Sequence, residues 1–390
     1  MLPAGRLRLF YFCYYGAVGV LLPYFAPYLR GLGFTGAGIG LVQMISPLVA
    51  APVALGWSAV ADRLGNPARL LAAASLWAAA AVLLLPFART PLTVAAVLLL
   101  HALGDRAVIP LVDSVTLEWV RAVPRHAYAR IRLFGSIGYI AAAQGLGLLL
   151  ALRGDRPADL LVPVSIAALV AGYALVARRL PSPPLHGPRA SVGELATLLQ
   201  DPRLLLFLIA CAIHWASCAP FHLLFGVLVR DAGLPSTITG LAMAVAVGAE
   251  VGALLLFPQI QARLGLRGCL ALAFIASAVR WALTARAEGA AALVATQALH
   301  ALTFGVFWGA AVNTMAEAVP PRLRVTGQAL FSAIVFGGGN AVGYWLAGAG
   351  YDRLGGAPPL FRVAGATELL ALLVLGAATL RRGAARSVTA

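Results

Sequence analysis

Apolar residues fill this chain in twelve long blocks, separated by short polar turns rich in glycine, proline and arginine. The blocks cover 7–29, 37–61, 68–88, 91–120, 129–153, 158–180, 204–229, 236–260, 268–286, 290–317, 325–350 and 358–380. Each holds about 20 residues or more, the length a helix needs to cross ~30 Å of hydrocarbon. Backbone amides in lipid find no water, and a single segment can satisfy its own amides only as a helix. The pattern therefore predicts an all-α polytopic membrane protein with twelve transmembrane helices. The longest polar interruption, 181–203, begins proline-rich and turns amphipathic, with Ser191 placed to cap a short helix and Glu194 three residues on. It divides the chain into an N-terminal six-helix half (1–180), a linker (181–203) and a C-terminal six-helix half (204–390). Paired halves of this kind enclose a central cavity near the bilayer midplane.

Composition supports the membrane and narrows the chemistry. The 390 residues are 61% hydrophobic and 11% charged, whereas soluble domains carry about 25% charged residues. A net charge of +15 would suit a nucleic-acid binder, but the arginines gather at segment ends. With both termini and the even-numbered loops inside, eighteen arginines lie on that side and eight on the other. Arginine-rich loops stay cytoplasmic, so both termini and the linker are expected there, in an inner-membrane protein that contacts lipid and no nucleic acid. All 29 basic residues are arginine, since the chain has no lysine. That excludes a P-loop, whose lysine holds nucleotide phosphates, and Schiff-base chemistry on a lysine amine. No CxxC, HExxH or GxSxG occurs, and Cys13, Cys211, Cys218 and Cys269 read as small buried hydrophobes. The first block runs on through Pro23 and Pro27 without an A-x-A-like site, which makes it a spanning helix rather than a signal peptide. The expectation is a non-enzyme with no metal or cofactor, acting as a monomer on a small molecule.

Charges inside the apolar blocks are the candidate site. Between Leu103 and Ile140 lie Asp105, Arg106 and Asp113 in the fourth block and Arg132 in the fifth. Each such charge costs ~2.5 to 3.5 kcal/mol at membrane depth. Asp113 and Arg132, on antiparallel neighbours, are expected partners, with Arg106 competing for Asp113. The pair either lines a solute path or fastens two helices. His101 and Asp105 stand at i and i+4 and can bond each other. In the second half Glu250, Arg280 and His300 fall on three successive segments, where they either couple transport to protons or satisfy one another in packing. His214 and His222 lie eight apart, near one helix face. Tyr14, Tyr15, Tyr24 and Trp281 could stack on a ring-bearing solute. After the second block come Asp62, Arg63, Gly65 and Arg69, with weaker echoes around Gly265 and Gly355.

These residues carry a resemblance to the major facilitator superfamily over essentially the whole chain. Asp62-Arg63-Leu-Gly65 resembles its gating motif, although Ser58 stands where a glycine is expected and the following basic run is reduced to Arg69. Phe10-Tyr11-Phe12 through Leu22-Pro23-Tyr24-Phe25, and Tyr128-Ala-Arg130-Ile-Arg132-Leu-Phe-Gly135-Ser136, are similar to the phenylpropionate permease branch and its relative lactose permease. That resemblance implies that Arg132 contacts substrate opposite the Asp113 acid, and that Glu250, Arg280 and His300 match charges of lactose permease. The lysine and glutamate that flank the histidine there are Gln297 and Thr303 here, so the proton-releasing carboxylate does not carry over. Asp105 joins Glu250 as a candidate acid. The implied function is a secondary active, proton-coupled symporter of an aromatic carboxylate or sugar-like solute. The rivals are a proton-driven exporter of hydrophobic compounds and a non-transporting sensor or scaffold.

Overall fold

The computed structural model describes residues 3–64, 66–123, 127–180, 198–320 and 323–387. Asp62, Arg63 and Gly65, the centre of the expected gating loop, lie outside the residues whose side chains are described, as does most of the linker. The described chain is helical, with no strand among the described residues. Its first six helices are α1 (Pro3–Gly31), α2 (Gly36–Leu64), α3 (Pro67–Val82), α4 (Pro91–Ala122), α5 (Tyr128–Leu152) and α6 (Leu161–Ala177). There follow α7 (Pro202–Ser217), α8 (Ala219–Asp231), α9 (Ser236–Thr284) and α10 (Gly289–Ala295). The last four are α11 (Phe307–Ala318), α12 (Arg324–Phe331), α13 (Asn340–Leu354) and α14 (Ala357–Ser387). Wider π-helical turns at Ala301–Val306 and Ser332–Gly339 lead into α11 and α13.

Local chemistry explains where the helices begin. Asn66, Thr90 and Asp201 each accept a backbone N–H from the first turn of α3, α4 and α7, and each is followed by proline at the first helical position. Proline loses nothing there, because that N–H has no helical partner anyway. Among the described residues, ten helices are long and apolar enough to cross a membrane. The difference from the expected twelve has two sources. Two predicted segments form one 49-residue run, α9, kinked at Gly265 where φ is 65° and ψ 169°. The sixth segment gives the shorter α6, of 17 residues. Outward-facing leucines such as Leu84, Leu148, Leu255 and Leu373 are exposed, an apolar exterior that a bilayer rather than water accommodates. The chain is an integral membrane protein.

Packing divides it into two units, Met1–Gly187 with His222–Ala244, and Pro188–Phe221 with Val245–Ala390. In the first, α1 lies on α5 and α6, and α4 lies on α2 and α3. Residues 222–244 join this unit through polar contacts: Arg230 donates to the Asp155 carbonyl, the Ser236 N–H donates to Asp155 Oδ2 at 3.2 Å, and Tyr24 donates to the Ser236 carbonyl at 3.3 Å. In the second unit, α7 packs on α14, α13 and the 332–339 turn, around a core that includes Phe207, Trp215, Phe257, Phe274, Phe307 and Phe331.

Candidate functional site

Each unit holds its own cluster of charge among apolar helices. In the first, Gly138 lets α5 press against α1, since a Cβ there would collide with the Phe12 carbonyl. Tyr11 and Tyr15 of α1 are thereby set beside Asp113 and Arg132. Tyr11 donates to Asp113 Oδ1 at 2.6 Å and Tyr128 donates to the same oxygen at 2.9 Å. The Arg132 guanidinium lies over Tyr15, its Cζ 3.8 Å from the ring centroid, and 5.5 Å from that of Tyr11. This corrects the expected ion pair: among the described residues none joins Asp113 to Arg132. Two phenol donors hold the carboxylate instead, and an aromatic face holds the cation. Arg132 is half-buried, and among the described residues its N–H groups make no hydrogen bond. A planar fork of donors, set over an aromatic ring, is left without a hydrogen-bond partner among the described residues.

Arg106 does not compete for Asp113 as expected. It pairs with the buried Asp105 at 2.7 Å, and Asp105 also accepts from Tyr173 at 3.2 Å. The i,i+4 contact from His101 to Asp105 is longer, 3.8 Å. Tyr14 is buried and packs on Tyr15 and Tyr173, with centroids 5.1 and 5.3 Å away.

In the second unit Arg280 is fully buried. It donates to His300 Nδ1 at 2.9 Å, to Thr303 Oγ1 at 2.8 Å and to Gln297 Oε1 at 2.6 Å. The faces of Phe221 and Trp281 lie 4.2 and 4.6 Å from its Cζ. Glu250 meets this cluster at the histidine: its Oε2 is 3.5 Å from His300 Nε2. The arrangement fixes the imidazole tautomer. Arginine only donates, so Nδ1 must accept and the ring hydrogen sits on Nε2, aimed at Glu250. Gln297 and Thr303, the two positions that depart from lactose permease, serve here as neutral acceptors for the arginine.

His214 and His222 fall in different units, on either side of an interruption of the helix at Cys218. His222 is half-buried and belongs to the first unit. His214 is fully buried in the second, facing Glu368 rather than open space. Glu368 is the residue that sequence reasoning missed. Its signal was available, a lone carboxylate in the apolar run 357–377, and an acid at that depth is functional by default. Of the gating residues, Arg69 is described: it is exposed, and its N–H binds the Asn66 cap at 3.0 Å. The echo glycines Gly265 and Gly355 both take left-handed φ, 65° and 75°, which a side chain would oppose.

A helical bundle of membrane-spanning length, with desolvated charge clusters in both of its units, has the makings of a solute carrier. The chain belongs to the MFS_1 like family, whose signature matches residues 5–363. It is 29% identical over 340 residues to the maltose permease of Geobacillus stearothermophilus, covering 86% of this chain and 84% of that one. To the probable 3-phenylpropionic acid transporter of Escherichia coli (strain K12) it is 28% identical over 357 residues, covering 90% and 91%. Its fold matches the crystal structure of the nucleoside transporter NupG with a TM-score of 0.84 at 19% identity, covering 97% of this chain and 99% of that one. The chain is a major facilitator transporter of small solutes, not an enzyme.

Proposed function

We propose that this transporter is a proton-coupled symporter of a small organic solute, an aromatic carboxylate or a sugar, working by alternating access in the inner membrane with both termini cytoplasmic. The observation that carries this reading is Arg132, a half-buried cation set over the Tyr15 ring, whose N–H groups make no hydrogen bond among the described residues. A carboxylate accepts such a fork at two oxygens, and vicinal hydroxyls accept it more weakly, without the charge. Asp113, anchored by Tyr11 and Tyr128, supplies the opposing acceptor, and Tyr14, Arg106 and His222 belong to the same unit. The names of the maltose and 3-phenylpropionic acid relatives span these two chemistries. Coupling falls to Glu250 with His300 and Arg280. Protonating His300 would place a hydrogen on Nδ1 against an arginine donor, so the transported proton is taken by the Glu250 carboxylate rather than by the ring. Asp105, already neutralised by Arg106, is the weaker candidate acid. Asp62, Arg63, Gly65 and Arg69 form the cytoplasmic gate.

Uptake of radiolabelled maltose and of 3-phenylpropionate into proteoliposomes, acid outside, tests the reading. Wild type should concentrate one of them and Arg132→Ala neither. Glu250→Gln should lose accumulation but keep counterflow exchange, because exchange needs the loaded carrier to reorient without releasing its proton. Accumulation by Glu250→Gln would place coupling elsewhere. Efflux driven by the same gradient would make the protein an exporter.

A further inference from the structure

The mechanism above makes no use of an acid in the apolar core of the second unit. Glu368 of α14 is fully buried, as is His214 of α7. His214 Nδ1 lies 3.0 and 2.9 Å from the two carboxylate oxygens, and Ser217 Oγ donates to one of them. The other ring nitrogen, Nε2, is 3.2 Å from the Thr303 carbonyl. A carbonyl only accepts, so Nε2 carries a hydrogen. Nδ1 faces carboxylate oxygens, which also only accept when ionised. A further proton must therefore lie between Nδ1 and Glu368, either on the ring beside a carboxylate or on the carboxyl beside a neutral ring. Without it, a lone pair and an anion would oppose each other 2.9 Å apart. Phe274 and Phe307 pack on the imidazole, with centroids 4.9 and 4.3 Å away, so little water could relieve that opposition. The contact belongs to the proton-loaded pair.

Among the described residues the neighbourhood contains few other charges. His214 and Ser217 of α7 and Cys218 just after it face the carboxylate, and the Cys218 thiol lies within 4.8 Å of both the His214 ring and the Glu368 carboxylate. From α9 the charged side chain at this site is Arg280, with His300 and Glu250 beyond it. The turn before α11 offers only the neutral Thr303, and α13 holds only Tyr344 as a titratable group between 340 and 350. Thr303 links the two sites. Its carbonyl takes the His214 Nε2–H, while its hydroxyl takes an Arg280 N–H at 2.8 Å.

We propose that Glu368 and His214 form a second proton-binding site, holding one proton between α7 and α14, whose release opens that helix contact and is felt at Glu250 through Thr303 and Arg280. The site stands on its own geometry; only its part in transport rests on the symport reading.

Infrared difference spectra of the purified protein, titrated from about pH 5 to about pH 9, test the proposal directly. Wild type should show carboxyl, carboxylate and imidazole bands that Glu368→Gln removes. The glutamine amide can donate to Nδ1 as the protonated acid would, so the variant keeps the helix contact and its fold. His214→Asn provides a second reading: it retains Glu368 and should shift the midpoint of its band. Glu250→Gln should keep the band and, because the coupling is reciprocal, shift its midpoint by less than His214→Asn does. If the difference spectrum is the same in wild type, Glu368→Gln and His214→Asn, the pair is a permanent fastening and the proposal is wrong. If Glu368→Gln does not fold, an unshifted band in His214→Asn overturns it equally. Should wild type take up neither maltose nor 3-phenylpropionate under a pH gradient while the bands still map to Glu368, the site stands and the symport reading falls.

Discussion

Replacing Tyr11 by phenylalanine removes the hydroxyl that donates to Asp113 at 2.6 Å, yet keeps the ring that lies 5.5 Å from the Arg132 guanidinium. A hydrogen bond to an ionised group contributes roughly 1.5 to 3 kcal/mol. Asp113 is half-buried and keeps its second donor, Tyr128, at 2.9 Å, so Tyr11→Phe should cost about 1.5 kcal/mol, the lower end of that range. A double-mutant cycle of Tyr11→Phe with Asp113→Asn should return a coupling of about 1 kcal/mol or more. The parallel cycle of Arg132→Gln with Asp113→Asn should return less, about 0.5 kcal/mol, because the two charges attract without direct contact. Reversible unfolding in mixed micelles, followed by tryptophan fluorescence, gives all the required free energies. An Arg132–Asp113 coupling as large as that of Tyr11–Asp113 would show that the two charges pair directly, and would refute the reasoning from Tyr15 stacking.

Two further outcomes follow from the topology and the packing. Cysteines introduced into the 181–203 linker should resist an impermeant thiol reagent applied to intact cells, while those in the 154–157 loop should label, reflecting the eighteen and eight arginines on the two sides; labelling of the linker from outside would invert the orientation. Gly138→Val should destabilise the first unit by about 1 to 3 kcal/mol, the usual cost of overpacking, because its Cβ meets the Phe12 carbonyl of α1 rather than a yielding side chain; a thermal unfolding midpoint equal to that of wild type would show that α1 and α5 can separate freely.

The sequence by itself determined the helical membrane class, the position of most segments, and the residues at which charge enters the apolar blocks. Those features are local. A run of about 20 apolar residues meets the thickness of a bilayer wherever it stands in the chain, and a backbone in lipid has one way to satisfy itself within a single segment. Gln297 and Thr303 were also legible as departures from a familiar pattern. That they both serve as acceptors for Arg280 was not. Partnership was decided by tertiary structure alone. Asp113 takes its hydrogen bond from Tyr11 across 102 positions, and His214 faces Glu368 across 154. A buried charge accepts any partner of suitable donor or acceptor character within about 3 Å, and the sequence lists many such groups without ranking them. The ranking comes from which helix faces turn together, and here close approaches such as that of Gly138 to Phe12 bring tyrosines to Asp113 before any arginine can reach it.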